Sequence, residues 1–287
     1  MMTTAFHKRA LLIAGPTASG KSAAALKLAR ERNGVIINAD ALQVYAPLRI
    51  LTARPRPEEE QSLPHRLYGH VGGEQPYSVA AWAAEARREM EEAWAQGLLP
   101  VVTGGTGLYF SALERGLAPV PEIPPEVRSR WRSFAGDLYG EVLKRDPAMA
   151  ARLNPADRQR VTRALEVVDA TGRSLLDWQR AGQEGAALAG VEVERIFMDV
   201  PRAALYARAE QRFDEMIASG ALEEVRAVMH LDPALPMMKA IGVPELSTHL
   251  RGDTTLEEAM AHAKTATRQF IKRQLTWWRG QLKHWQQ

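Results

Sequence analysis

The sequence contains no cysteine among its 287 residues, which excludes disulfides, thiol nucleophiles and cysteine-ligated zinc and suits a reducing cytoplasm. It also lacks any apolar run near the roughly 18 residues that a membrane-crossing helix requires, so no membrane partner is expected. The short run at 10–14, behind Lys8 and Arg9, is too brief for the apolar part of a signal peptide and leads straight into glycines. Charge of one sign is not in excess: 37 Lys and Arg against 34 Asp and Glu leave a net +3, which permits a polyanionic partner without demanding one. What is present is a globular balance, 46% hydrophobic and 25% charged, unlike that of disordered chains. A chain of this length accommodates one large α/β domain, or a core domain with a smaller one inserted.

The apolar pattern gives the order of elements. Residues 10–14 form a short run closed by Gly15-Pro16, the pattern of a parallel strand buried on both faces. Helix-favouring residues follow at 21–32, Asn33-Gly34 stop them, and a second apolar run at 35–37 ends in Asn38-Ala39-Asp40. Strand, helix and strand in that order open a parallel α/β sheet. The proline- and glutamate-rich stretch 54–64 reads as a surface connection, 78–96 as a helix stopped by Gly97, and 98–102 as a third strand closed by Gly104-Gly105-Thr106-Gly107. Four prolines within 117–125 mark an internal boundary. Beyond it, 126–180 is mainly helical, with eleven Lys or Arg against eight acids, and a Gly- and Ala-rich run at 182–190 closes the segment. Residues 191–200 alternate as a returning strand, and a last helix is expected from near Thr255, which forms a capping-box pattern with Glu258, to about Trp278. The expected architecture is α/β: a P-loop NTPase-like parallel sheet core flanked by helices, built from 1–117 and 191–287, with a helical insertion at 118–190.

Gly15-Pro16-Thr17-Ala18-Ser19-Gly20-Lys21-Ser22 fits G-x-x-x-x-G-K-[ST] in full, with a strand before it and a helix after it. The glycines let backbone N–H groups wrap a phosphate, the helix adds its positive dipole end, Lys21 supplies a mobile charge, and the Ser22 hydroxyl is placed to ligate Mg2+. The motif identifies a phosphate-bearing group without separating nucleotides from other diphosphates. Asp40 closes the second strand and therefore belongs to the carboxyl edge of the sheet, where ligands bind in open α/β folds. There it can hold magnesium through water, accept a proton from an attacking nucleophile, or simply cap the next turn. Thr106 is expected to face the same crevice, although the glycines around it are equally those of a plain strand-to-helix turn.

With those pieces placed, the chain resembles the bacterial tRNA dimethylallyltransferases, also called tRNA isopentenyltransferases, over nearly its whole length. The shared stretches are the phosphate loop, then residues 38–45, 52–55, 104–109, 157–166, 239–242 and 266–277, in that order. The resemblance implies transfer of the dimethylallyl group of dimethylallyl diphosphate to N6 of adenosine 37, in the anticodon stem-loop of tRNA. It implies Asp40 as general base, Gly15, Pro16, Thr17, Ala18, Ser19, Gly20, Lys21 and Ser22 around the diphosphate, and magnesium at Ser22. It implies tRNA contacts at Asp40, Ala41, Leu42, Gln43, Thr106, Arg128, Gln159, Arg160, Val161, Thr162, Arg163, Lys239, Gly242, Lys272, Arg273 and Arg279. The protein is expected to act as a cytoplasmic monomer.

Independently of the family, Lys264, Arg268, Lys272 and Arg279 fall on one side of the last helix and could meet RNA phosphates, or form a solvated face. Ala259, Ala263, Phe270 and Trp277 fall on another side. Three positions depart from the family pattern: Ala41 where serine is common, Arg54 where lysine is common, and Pro244 where an aromatic is usual. Arg54, Arg208 and Arg212 are further candidates for the diphosphate. Two other readings use the same loop: an ATP-dependent small-molecule kinase, and a non-catalytic RNA-binding protein.

Overall fold

The computed structural model describes residues 7–182, 184–281 and 285. In chain order the first elements are β1 (Arg9–Ala14), α1 (Lys21–Glu31), β2 (Gly34–Asn38), α2 (Pro57–Ser62), β3 (His65–Arg66), α3 (Val79–Ala95), β4 (Leu99–Gly104) and α4 (Gly107–Arg115). Then come α5 (Pro125–Arg132), α6 (Leu138–Arg145), α7 (Pro147–Ala150), α8 (Arg158–Thr171), α9 (Leu175–Arg180) and β5 (Glu192–Phe197). The chain ends with α10 (Arg202–Ala218), α11 (Ala221–Val228), a 3-10 turn at Met237–Lys239, α12 (Val243–Leu250) and α13 (Leu256–Gln281). Among the described residues no helix is long and apolar enough to cross a membrane.

The five strands form one parallel sheet in the order β3-β2-β4-β1-β5. Side chains alternate across it, so each apolar run serves two layers. Leu11, Ile13, Ile36 and Val101 pack with Ala25 and Ala29 of α1, while Leu12, Ile37 and Val102 pack with Trp82, Ala86 and Met90 of α3. Burial on both faces explains why β1, β2 and β4 read as continuous apolar runs. β5 lies at the edge and is only partly buried, which is why its sequence alternates. The stretch expected as a plain connection contains α2, whose proline and acids suit a helix N-terminus, and is followed directly by the two-residue β3, too short to leave a periodic signal.

Contacts divide the chain into two compact units, Met1–Glu114 with Ala187–Gln287, and Arg115–Ala186. The first holds the sheet. The second has its own core, in which Trp131, Leu138, Val142, Val161, Ala164 and Leu165 pack together. Helices α6 to α9 start on side-chain caps, with the Asp157 carboxylate accepting from Arg160 N–H at 3.1 Å and Asp146 from Met149 N–H at 3.0 Å. Buried Glu166 is matched by Arg132 at 3.0 Å and Arg163 at 3.4 Å.

Candidate active site

β2, β4 and β1 are neighbours in the sheet, so the segments that leave their carboxyl ends converge on one edge. The loop after β1 turns through Ala18 at φ 63° and Gly20 at φ 88°, and α1 begins at the next residue. A side chain at Gly15 would stand 2.8 Å from Ser19 Oγ and 2.9 Å from Met198 Cβ, so only glycine fits there. Lys21 folds back along the loop and donates to the Pro16 carbonyl at 3.3 Å. Burial pulls its ammonium down to about 8; the Asp40 carboxylate opposes that pull and the Arg212 guanidinium adds to it. Arg212, from α10, donates to Thr17 Oγ1 at 2.6 Å. Burial lowers its affinity for a proton too, against Asp40 and Glu215. Two cations and one carboxylate thus lie within one another's electrostatic reach beside the loop. Arg208, one turn earlier on α10, is exposed.

Asp40 is held by its neighbours. Asn38, fully buried at the end of β2, accepts from Asp40 N–H at 2.9 Å and donates to the Asp40 and Leu67 carbonyls, each at 3.0 Å. Asp40 Oδ1 accepts from Leu42 N–H at 3.0 Å, so the carboxylate does cap the following turn. Oδ2 makes no hydrogen bond among the described residues and faces the glycine turn, 3.7 Å from where a Gly105 side chain would begin. Thr106 belongs to the same construction: its N–H donates to the Ala39 carbonyl at 3.2 Å and its Oγ1 accepts from Ala41 N–H at 3.0 Å. A side chain at Gly104 would stand 2.0 Å from the Ala39 carbonyl oxygen, so the close approach of the two strand ends requires glycine.

The remaining candidates are scattered. Ala41 and Leu42 are partly buried beside Asp40, and the Gln43 amide is spent on the Thr52 and Ala53 carbonyls at 2.8 and 3.0 Å. Arg54 is committed to the Tyr45 and Ala46 carbonyls at 3.1 and 3.2 Å, which makes it a brace of its own loop. Lys239 is exposed; Gly242 is buried at φ 100°, where α12 starts, and Pro244 is exposed in the first turn of that helix. On α13, Lys264 pairs with Asp214 at 2.6 Å and Arg268 with Glu210 at 2.5 Å, so these two bind α10 and do not join a free basic face. Lys272, Arg273 and Arg279 are exposed and, among the described residues, without an ion pair. The buried stripe of α13 is Ala259, Ala263, Ile271, Gln274, Leu275 and Trp278, with Trp277 only partly covered. In the second unit Arg128, Gln159, Arg160 and Arg163 keep polar groups at the surface, whereas the Val161 and Thr162 side chains are buried in the packing face of α8.

Asn38 and Gln274 are buried polar residues that the sequence reading left without a role, and Arg212 was only one of three candidate arginines. The Gln274 amide accepts from Thr17 N–H at 2.9 Å and donates to the Gly105 carbonyl at 3.1 Å. An Asn closing a strand one residue before a turn is a detectable signal for the first. The others lie far along the chain from the loop they touch.

Among the described residues no group of three or more His, Cys, Asp or Glu is placed to hold a metal. That suits a divalent cation that takes most of its oxygens from a diphosphate and water and needs one or two from the protein. The Ser22 hydroxyl, exposed at the start of α1, is an oxygen of that kind.

A parallel sheet whose inner strand feeds a phosphate loop, with a carboxylate close enough to act on the lysine of that loop, defines a P-loop-type enzyme acting on a phosphorylated substrate. Within that class, the chain belongs to the IPP transferase family, whose model matches residues 43–281; the Isopentenyl transferase model matches residues 8–71. It is 55% identical to a tRNA dimethylallyltransferase of Nitrobacter hamburgensis, over 95% of this chain and 88% of that protein. It is 53% identical to one of Methylobacterium nodulans, over 96% of this chain and 92% of that protein. A eukaryotic dimethylallyltransferase solved acting on tRNA superposes with a TM-score of 0.80 at 26% identity, over 94% of this chain and 70% of that one. The tRNA isopentenylpyrophosphate transferase of Bacillus halodurans gives 0.67 at 30% identity, over 96% and 88%. These matches are to transferases that use a diphosphate substrate, a chemistry that draws on a divalent cation, and none of them supports the kinase or the non-catalytic reading.

Proposed function

We propose that this chain transfers the dimethylallyl group of dimethylallyl diphosphate to N6 of adenosine 37 in the tRNA anticodon stem-loop, giving N6-dimethylallyladenosine and diphosphate. The observation that carries the reading is the placement of Asp40: one oxygen fixed by Leu42 N–H, the other uncommitted, within electrostatic reach of Lys21 and Arg212. An exocyclic amine is a weak nucleophile because its lone pair is delocalised into the ring, so a base must take its proton as the new bond forms. The N6 lone pair forms the bond to C1 of the dimethylallyl group, the C1–O electron pair leaves with the diphosphate, and the N6 proton passes to Asp40 Oδ2. Lys21, Arg212 and the N–H groups of residues 15–22 receive the charge that grows on the leaving group. Magnesium, held by Ser22 and diphosphate oxygens, would supply further charge neutralisation there.

The target base is stacked in a loop, and flipping it into the crevice costs less there than in a duplex. Thr106, Lys239, Lys272, Arg273 and Arg279 on the core unit, with Arg128, Gln159, Arg160 and Arg163 on the helical unit, are the proposed RNA contacts. The protein works in the cytoplasm as a monomer.

The test is incubation with radiolabelled dimethylallyl diphosphate, magnesium and unmodified tRNA. Label is expected in the tRNA, at adenosine 37. Asp40→Asn is expected to cut the rate by about 10²–10⁴-fold with tRNA binding retained, since it removes the proton acceptor and leaves the RNA surface intact. No label in any tRNA that carries adenosine 37 overturns the proposal.

A further inference from the structure

Gln274 stands on the buried stripe of α13, otherwise made of Ala259, Ala263, Ile271, Leu275 and Trp278, and is itself only 7% exposed. An amide on such a face is costly unless both of its ends are bonded. Here both are: Oε1 accepts from Thr17 N–H at 2.9 Å and Nε2 donates to the Gly105 carbonyl at 3.1 Å. Because one partner is a donor and the other an acceptor, the orientation of the amide follows from its partners. Gly105 is shaped to receive it, since a side chain there would stand 2.5 Å from Nε2. One helical turn further, the Trp277 ring fills the space that a side chain at Gly107 would need, at 2.1 Å. α13 therefore grips both glycines that flank Thr106.

We infer that Gln274 is a positioning residue for group transfer, setting the phosphate loop at a fixed distance from the turn that orients Asp40. The inference rests on the transferase reading above. One end of the amide holds Thr17, on the leaving-group side. The other holds Gly105, whose neighbour Thr106 fixes Ala41 and, through it, the segment that carries Asp40. In-line transfer demands that base, acceptor nitrogen and leaving group be aligned, and a misplacement of about 1 Å lowers a rate by about 10²-fold.

The test compares two variants. Gln274→Met keeps the length and apolar packing and loses both hydrogen bonds; kcat is expected to fall by about 10–100-fold while tRNA affinity stays within about 2-fold. Gln274→Glu keeps the acceptor but donates only when its carboxyl is protonated. The charged groups that meet its partners are Arg212 of α10, on Thr17 Oγ1, and Asp40, whose Oδ2 lies beside Gly105. Its kcat relative to the native protein is therefore expected to rise as pH falls, whereas that of Gln274→Met stays parallel to the native profile. A side chain that merely filled space would not give that difference. Native kcat in Gln274→Met, or a Gln274→Glu profile parallel to the native one, overturns the inference; if the Met variant does not fold, the Glu profile decides. If the native protein transfers nothing, the transferase reading fails instead. Titration of inorganic diphosphate with magnesium then judges the loop: binding about 10-fold weaker in Gln274→Met supports its positioning, and equal binding overturns it.

Discussion

Lys21 is a cation held at a disadvantage in the free protein. In the unfolded chain its ammonium titrates near 10.5, and in the folded one near 8, so between those values the unfolded state binds more protons and folding gains stability as pH rises. At neutral pH the buried charge is a burden that a bound diphosphate relieves. Lys21→Met is therefore expected to raise the thermal midpoint of the free protein by about 2–4 °C while weakening diphosphate binding, both measurable in one melting series with and without inorganic diphosphate. In the native protein, diphosphate affinity by calorimetry should fall as pH rises through about 8, because binding then requires a proton to be taken up. Lys21 was legible because the motif is local and its context unambiguous. Arg212 was only one of three candidate arginines and Gln274 was given no role, since they reach Thr17 from 195 and 257 residues away and no pattern within a short window records such a contact.

At the scale of elements, the segment between β2 and α2 is held in place by side chains from elsewhere. Glu224 of α11 accepts from three successive backbone N–H groups, those of Arg49, Ile50 and Leu51, at 2.6, 2.8 and 2.9 Å. Gln43 and Arg54 brace the same segment from within. Glu224→Ala leaves those donors without a partner and should cost about 1.5–3 kcal/mol in urea unfolding. It should also lower transfer, because the segment begins at Asp40; unchanged stability would show that water satisfies the three donors. The strands β1, β2 and β4 were readable from apolar runs and β5 from its alternation, and Thr255 and Glu258 do form the capping box, with Glu258 N–H donating to Thr255 Oγ1 at 3.2 Å. What the pattern of α13 did not reveal is which charges face a neighbour. Lys264 and Arg268 lie along α10 and meet its acids, a fact of packing that a helical wheel drawn on one helix cannot contain.

For the whole molecule, a net charge of +3 understates the binding potential, because cations such as Lys264 and Arg268 are paired while Lys272, Arg273 and Arg279 are, among the described residues, without an ion pair. RNA affinity governed by Lys272, Arg273 and Arg279 should decline with salt. Replacing any one of them by Ala should reduce the slope of log K against log salt by about 1 in filter-binding titrations. Lys264→Ala should leave that slope unchanged. A flat salt response in the native protein would remove these side chains from the interface. The distance in sequence between the phosphate loop and its supports has a further consequence, in the order of synthesis. The loop is made well before its braces: Arg212 of α10 follows Thr17 by 195 residues and Gln274 of α13 by 257. A chain cut short before α10 carries the complete motif and lacks both the guanidinium and the amide that contact Thr17, whereas one cut between α10 and α13 lacks the amide alone. The phosphate loop therefore reaches its full set of contacts only once α13 has been made.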